Sequence, residues 1–162
     1  TIAISPEHGY VILAASGTFL LNVWQMMKIG GKRKELGIAV RLEGFFVHIT
    51  ERINLSNLFY TLQYPEMYSE KHPEFNCYQR AHQNTLEFTP FYLALVILGG
   101  LRHPSFAAGA GGIYLVGRII YSLGYYTGNP KSRIPGFILN LLALTGLLGC
   151  SVSTAAGLLG WW

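Results

Sequence analysis

YVILAASGTFLLNVWQMMKI, residues 10–29, carries no charge before Lys28 and has the roughly 20-residue length that crosses a bilayer. Pro6 and Glu7 suit the first turn of a helix. Gly30-Gly31 reads as its stop, and Lys32-Arg33-Lys34 follows at once, a cluster that stays cytosolic under the positive-inside rule. The rest of the 162-residue chain has the same character. Hydrophobic residues make up 51%, charged residues only 12%, and Asp is absent. So little charge cannot wet the surface of an ordinary soluble domain, where about 25% is usual, and such high apolar content excludes a disordered chain. A mean hydropathy of +0.32 is modest for a membrane protein, so a polar block must dilute apolar spans.

Three further spans follow. Residues 78–101 start polar and turn apolar, with Pro90 inside; residues 106–126 are broken by Arg118 and rich in glycine; residues 137–160 run almost without charge to the interface aromatics Trp161-Trp162. The expected fold is an all-α integral membrane bundle of four transmembrane helices in one domain, 1–162. Leaving aside the mixed block 39–75, five basic residues lie in the first and third connections (Lys32, Arg33, Lys34, Lys131, Arg133) against Arg102 in the second, which places the first and third on the cytosolic side. The start, Thr1-Ile-Ala-Ile-Ser-Pro, lacks the charged n-region of a cleavable signal. Two cysteines, Cys77 and Cys150, make no disulfide framework and read as small buried hydrophobes. The net charge of +4 sits beside apolar runs rather than on one polar face. That favours a membrane surface or an anionic small molecule over nucleic acid.

Two stripes carry the chemistry. Helical spacing puts Arg80, Asn84 and Glu87 on one face, with Gln83 at its border and His82 pointing elsewhere. Arg118, Tyr121 and Tyr125 lie at i, i+3 and i+7 on another. An arginine inside an apolar span marks a site by default, and Glu87 is its expected partner. The bland alternatives are a Glu–Arg pair tying the bundle together and tyrosines of an interface belt. Together with Arg33, Lys34, Lys131 and Arg133 the stripes form a cationic bowl with one carboxylate. It suits a small zwitterion with excess negative charge. The scattered histidines give no metal cluster, and the lack of Asp excludes a Ser/His/Asp set.

At Arg80-Ala-His-Gln-Asn-Thr-Leu-Glu87 followed by Pro90, and at Gly117-Arg-Ile-Ile-Tyr-Ser-Leu-Gly-Tyr-Tyr-Thr-Gly128, the chain resembles the MAPEG family, membrane-associated proteins of eicosanoid and glutathione metabolism. Within it the likeness is strongest to the type-three microsomal glutathione S-transferases, relatives of leukotriene-C synthase. The resemblance implies a homotrimer in the endoplasmic reticulum, nuclear envelope or mitochondrial outer membrane, with glutathione as co-substrate and no metal. It implies transfer of the glutathione thiolate to a lipophilic electrophile, or reduction of a lipid hydroperoxide. By position, Arg80, Asn84, Glu87, Tyr121, Tyr125, Lys34, His82 and Arg118 are similar to glutathione contacts, and Arg133 and Arg33 to catalytic residues. Arg33, Lys131 and Arg133 all remain in place for activating the thiol. The chain departs from other members at His82, where some have Gln, and at Phe88, where some have Tyr. A non-catalytic lipid-binding member and a small four-span transporter are the alternatives to the enzyme.

One block has no counterpart in that family: the 24 residues of Val40–Gln63, which with their flanks dilute the hydropathy. They read as an amphipathic insertion on the membrane, as a cytosolic partner-binding loop, or as a translated intron. The intron reading is preferred, because Val matches a GT start and Phe-Tyr-Thr-Leu-Gln can be written as a pyrimidine tract ending in CAG. Asn54-Leu-Ser56 is a glycosylation sequon that a cytosolic loop would leave unmodified. On the preferred reading, intact-mass measurement of protein from its native source gives a chain shorter by these 24 residues; finding them present overturns it.

Overall fold

A computed structural model describes residues 5–38 and 67–161. The expected insertion at 40–63 lies outside the described residues. Four α-helices are present among the latter: α1, His8–Glu35; α2, Pro73–Gly100; α3, Pro104–Tyr126; and α4, Ile134–Leu158, preceded by a 3-10 turn at Pro130–Arg133. Helices α1, α3 and α4 are long and apolar enough to cross a membrane. Helix α2 has the length, but its first half carries the polar stripe.

Helix α1 does not stop at Gly30-Gly31. It continues to Glu35, where a backbone turn closes it: Ile38 N–H donates to Arg33 O and Gly37 N–H to Lys34 O, with Gly37 at φ +62°. Two glycines inside a helix cost about 1 kcal/mol each, which a long helix absorbs. A left-handed residue past the last turn ends it. Lys32, Arg33 and Lys34 occupy that last turn, favourably for the helix dipole. Pro73 and Pro104 begin α2 and α3, where the missing N–H has no intrahelical partner to lose. Helix α2 runs through Pro90 unbroken.

Successive helices run in opposite directions. At one end His8 Nε2 lies 3.5 Å from Leu101 O, Ser105 Oγ donates to Glu7 at 2.6 Å, and His103 Nε2 is 2.9 Å from Ser153 Oγ. At the other end Tyr126 stacks on Tyr78 at 4.1 Å and tilts against Trp24 at 5.9 Å. The first and third connections therefore share an end, and the second lies at the opposite one.

The core is narrow. Tyr92 is fully buried, stacks on Tyr114 at 4.1 Å, and donates its hydroxyl to Ala14 O at 3.0 Å. Val11, Ala14, Val96, Ala107, Ala143 and Leu147 pack around this pair. Nearer the site, fully buried Gln25 donates to Thr85 Oγ1 at 2.9 Å and Ser122 Oγ at 2.7 Å, joining α1, α2 and α3. The outside is apolar: Leu13, Phe19, Leu142 and Leu158 are each 65–70% exposed. In water that surface would be an aggregation hazard; against lipid it is the expected coat.

Helices α3 and α4 approach closely through glycine. A Cβ on Gly136 would fall 2.3 Å from Tyr121 N, and one on Gly124 2.3 Å from Ser132 O. Both neighbours are backbone and cannot swing away. Gly136→Ala is expected to destabilise by about 1–3 kcal/mol or more through overpacking. Gly112→Ala, where the added methyl meets open space, leaves stability unchanged or raises it by up to about 1 kcal/mol. Thermal unfolding of the two variants in detergent checks the contrast.

Candidate functional site

The polar stripe of α2 faces the stripe of α3, and a continuous chain of contacts links them. Arg80 Nη1 meets Glu87 Oε1 at 3.1 Å, seven residues along the same face. Asn84 donates to the other Glu87 oxygen at 3.3 Å, and its own Oδ1 accepts from Arg118 Nη1 at 2.8 Å. Arg118 Nε donates to Tyr114 OH at 3.0 Å. Glu87 is thus not the partner of Arg118, as the sequence led us to expect. It lies nearly one turn beyond Asn84 on α2, and Arg80 holds it; the Asn84 amide bridges the two charged groups.

Arg118 is 2% exposed. Burial of a cation demands compensation. Here two neutral acceptors supply part of it and three aromatic faces supply more: the guanidinium carbon lies 4.8 Å from the Phe88 ring, 5.2 Å from Tyr114 and 5.3 Å from Tyr121. Tyr121 and Tyr125 meet edge to face at 5.2 Å and pack on fully buried Ala81.

Arg133 reaches the same place from the α3–α4 connection. Gly128, at φ +78°, turns the chain, and Asn129 accepts from Lys131 N–H at 3.1 Å, setting the 3-10 turn. That turn delivers the Arg133 guanidinium to Tyr125, whose hydroxyl accepts from Nη1.

These groups enclose a cavity of about 520 Å³. Its polar wall is Arg80, Asn84, Arg118, Tyr121, Tyr125 and Arg133; its apolar wall is Phe88 with Ile134, Phe137, Leu141 and Leu144. The volume lies within the ~300–1,000 Å³ typical of small-molecule sites. Three guanidinium groups on one wall make a site for anionic groups, and Glu87, held beside Arg80, adds a carboxylate at its rim.

The structure brings together six of the ten residues expected from sequence, with Glu87 adjoining them. It does not bring the other three to this cavity. His82 turns toward α1, its Nδ1 3.1 Å from Gln25 Oε1, as its helical angle requires. Arg33 is buried with its guanidinium 4.6 Å from the Phe75 ring, and Lys34 is exposed at the end of α1. Lys131, the other candidate for thiol activation, is exposed on the 3-10 turn and away from the cavity wall.

Sequence reasoning missed Tyr114 and Asn140. Tyr114 reads as a core aromatic, although its i, i+4 spacing to Arg118 was visible. Asn140 is the one amide in α4 and lines the cavity, at 3% exposure.

The human protein "Microsomal glutathione S-transferase 2" is 41% identical over 87 residues, which cover 50% of this chain and 58% of that protein. An uncharacterized protein of Synechocystis sp. is 42% identical over 65 residues, 40% of this chain and 47% of that one. The chain thus spans about half the length of the curated relatives it matches. A sequence model of the MAPEG family matches residues 11–153, from the first turn of α1 to the last turns of α4 and across every helix that lines the cavity. The chain belongs to the MAPEG family.

Proposed function

We propose that the protein is an integral membrane glutathione transferase and peroxidase, and that the cavity between α2, α3 and α4 is its glutathione site. The observation that carries the reading is the meeting of Arg80, Arg118 and Arg133 on one wall with Glu87 at the rim. Glutathione bears two carboxylates, one ammonium group and a thiol, and these charges complement that wall. Arg80 takes a carboxylate, Glu87 the ammonium group, and Asn84, Tyr121 and Tyr125 the peptide groups. Family membership and the similarity to the human transferase support the same substrate.

Arg133 activates the thiol. A free thiol has a pKa of about 8.5, so little of it is thiolate at neutral pH. A guanidinium donating to sulfur favours the anion, and lowering the pKa by two units requires about 2.7 kcal/mol. One charge-assisted contact supplies this order of energy once the bound reactants cover the exposed Arg133. The thiolate then forms a carbon–sulfur bond with an electrophile reaching the cavity across the apolar wall, and the leaving group departs with the displaced electron pair. With a hydroperoxide, sulfur takes the terminal oxygen, the alkoxide leaves and is protonated, and a second glutathione converts the sulfenic product to disulfide and water.

The alternative of a transporter rests on Arg118, which the contacts with Asn84 and Tyr114 tie into this same cavity. The remaining elements of the proposal are four membrane spans, a homotrimer, the endoplasmic reticulum, and affinity to the type-three branch of the family. Roles for Arg33, Lys34 and His82 in binding glutathione would come through a neighbouring subunit.

Arg133→Ala is expected to abolish the thiolate absorbance of bound glutathione and to lower turnover at neutral pH by up to about 100-fold, the equivalent of two pKa units. Intact absorbance and turnover reject Arg133 as the activator. Arg80→Ala acts differently: it raises KM for glutathione about tenfold or more with a smaller change in kcat, because it removes binding shared by ground and transition states. Steady-state kinetics with and without glutathione, for conjugation and for hydroperoxide reduction, measure both and test the function itself.

A further inference from the structure

The polar atoms of the described residues are largely accounted for, with a conspicuous exception on the cavity wall. Asn140 is 97% buried, lines the cavity, and has no hydrogen-bond partner on either Nδ2 or Oδ1. A buried amide without partners is costly, and more so in a membrane helix, where water offers no relief. The fold accommodates it nonetheless. Gly117 lies beneath it on α3, and a Cβ there would come within 2.5 Å of Oδ1. Its neighbours on α4 facing the cavity are Phe137, Leu141 and Leu144, so the amide is a single polar point among the apolar side chains of α4.

We propose that Asn140 is a specificity-determining residue that anchors the polar group of the lipophilic co-substrate. This rests on the reading of the cavity as a two-substrate site. An amide offers a donor group and an acceptor oxygen side by side. Its complement is a group that does the same, such as a hydroxyl or hydroperoxide on an acyl chain. A hydrocarbon lacking such a group leaves the amide unpaired, and a site with a buried unpaired polar group rejects the analogue that lacks its partner. The wall therefore selects oxygenated lipids carrying an O–H over plain ones of the same length.

The test uses two neutral esters that differ by one hydroxyl, methyl ricinoleate and methyl oleate, with the purified full-length protein in nanodiscs. The unmodified protein is expected to bind the hydroxy ester about tenfold more tightly, the worth of one buried hydrogen-bonding group. Asn140→Leu, of the same branched shape, brings the ratio to about one, and Asn140→Ser, which keeps a donor and an acceptor, retains part of the preference. The melting temperature separates ligand anchoring from a structural role: removing an unpartnered amide leaves it unchanged or raised, whereas a structural hydrogen bond would make Asn140→Leu melt lower. No preference in the unmodified protein, a preference that survives Asn140→Leu, or a lower melting temperature overturns the inference. Binding of neither ester overturns it together with the two-substrate reading. A hydroxy preference without glutathione-dependent turnover overturns the transferase alone.

Discussion

A guanidinium group sits inside an apolar bundle, and the geometry around it follows from keeping it there. Arg118 is almost fully buried on α3, and an uncompensated cation at the centre of a membrane helix costs about 2.5–3.5 kcal/mol or more. Among the described residues it receives no direct carboxylate. It receives an amide oxygen, a phenol oxygen and three ring faces, all neutral. A carboxylate in direct contact would have cancelled its field. With neutral acceptors the charge is stabilised while its attraction for an anion in the adjoining cavity survives. The acid of the site is kept at the rim, on Arg80.

That arrangement demands that α2, α3 and α4 hold their register. The fully buried Gln25 supplies one tie: its amide donates to Thr85 and Ser122, and Ser122 in turn donates to Arg118 O, one turn back. Gly124 and Gly136 supply another, by letting α3 and α4 touch backbone to backbone. The 3-10 turn can then bring Arg133 onto Tyr125, less than one helical turn before α4 begins. Small residues and buried hydrogen bonds are the usual means of association in lipid, where no hydrophobic gain drives helices together. Here the same contacts fix the positions of charged groups.

Much of this was legible in the residues. The stripes Arg80–Asn84–Glu87 and Arg118–Tyr121–Tyr125 follow from 100° per residue, and the structure turns both to one cavity. The same arithmetic turned His82 away, and it lies on Gln25. What failed needed information between helices. The partner of Arg118 depends on the axial offset of α2 against α3, which no single-helix pattern encodes, so Asn84 and Glu87 were not separable. The end of α1 was misplaced at Gly30-Gly31 because glycine in a helix and glycine that ends one look alike until φ is known; Gly37 alone of these has the left-handed value. Asn140 was passed over because one amide in a membrane helix ordinarily bonds across to a neighbour, and the absence of that bond appears only once the neighbour is placed.

The two walls of the cavity also explain why the polar residues are so unevenly distributed. Helices α2 and α3 meet with their cations and hydroxyls inward, and α4 contributes apolar side chains that are half exposed on the outside, Phe137 and Leu141 among them. On the proposed reading the reactants arrive from different phases, a charged one from water at the connection end and an apolar one from lipid along α4. Arg133 stands where these routes meet, at the start of α4 and within reach of the α3 tyrosines. A thiolate formed there meets its acceptor without crossing the bundle. The same placement limits the site. A cation farther along α4 would lie among lipid-facing side chains, and one farther out on the connection, like Lys131, stands away from the cavity wall.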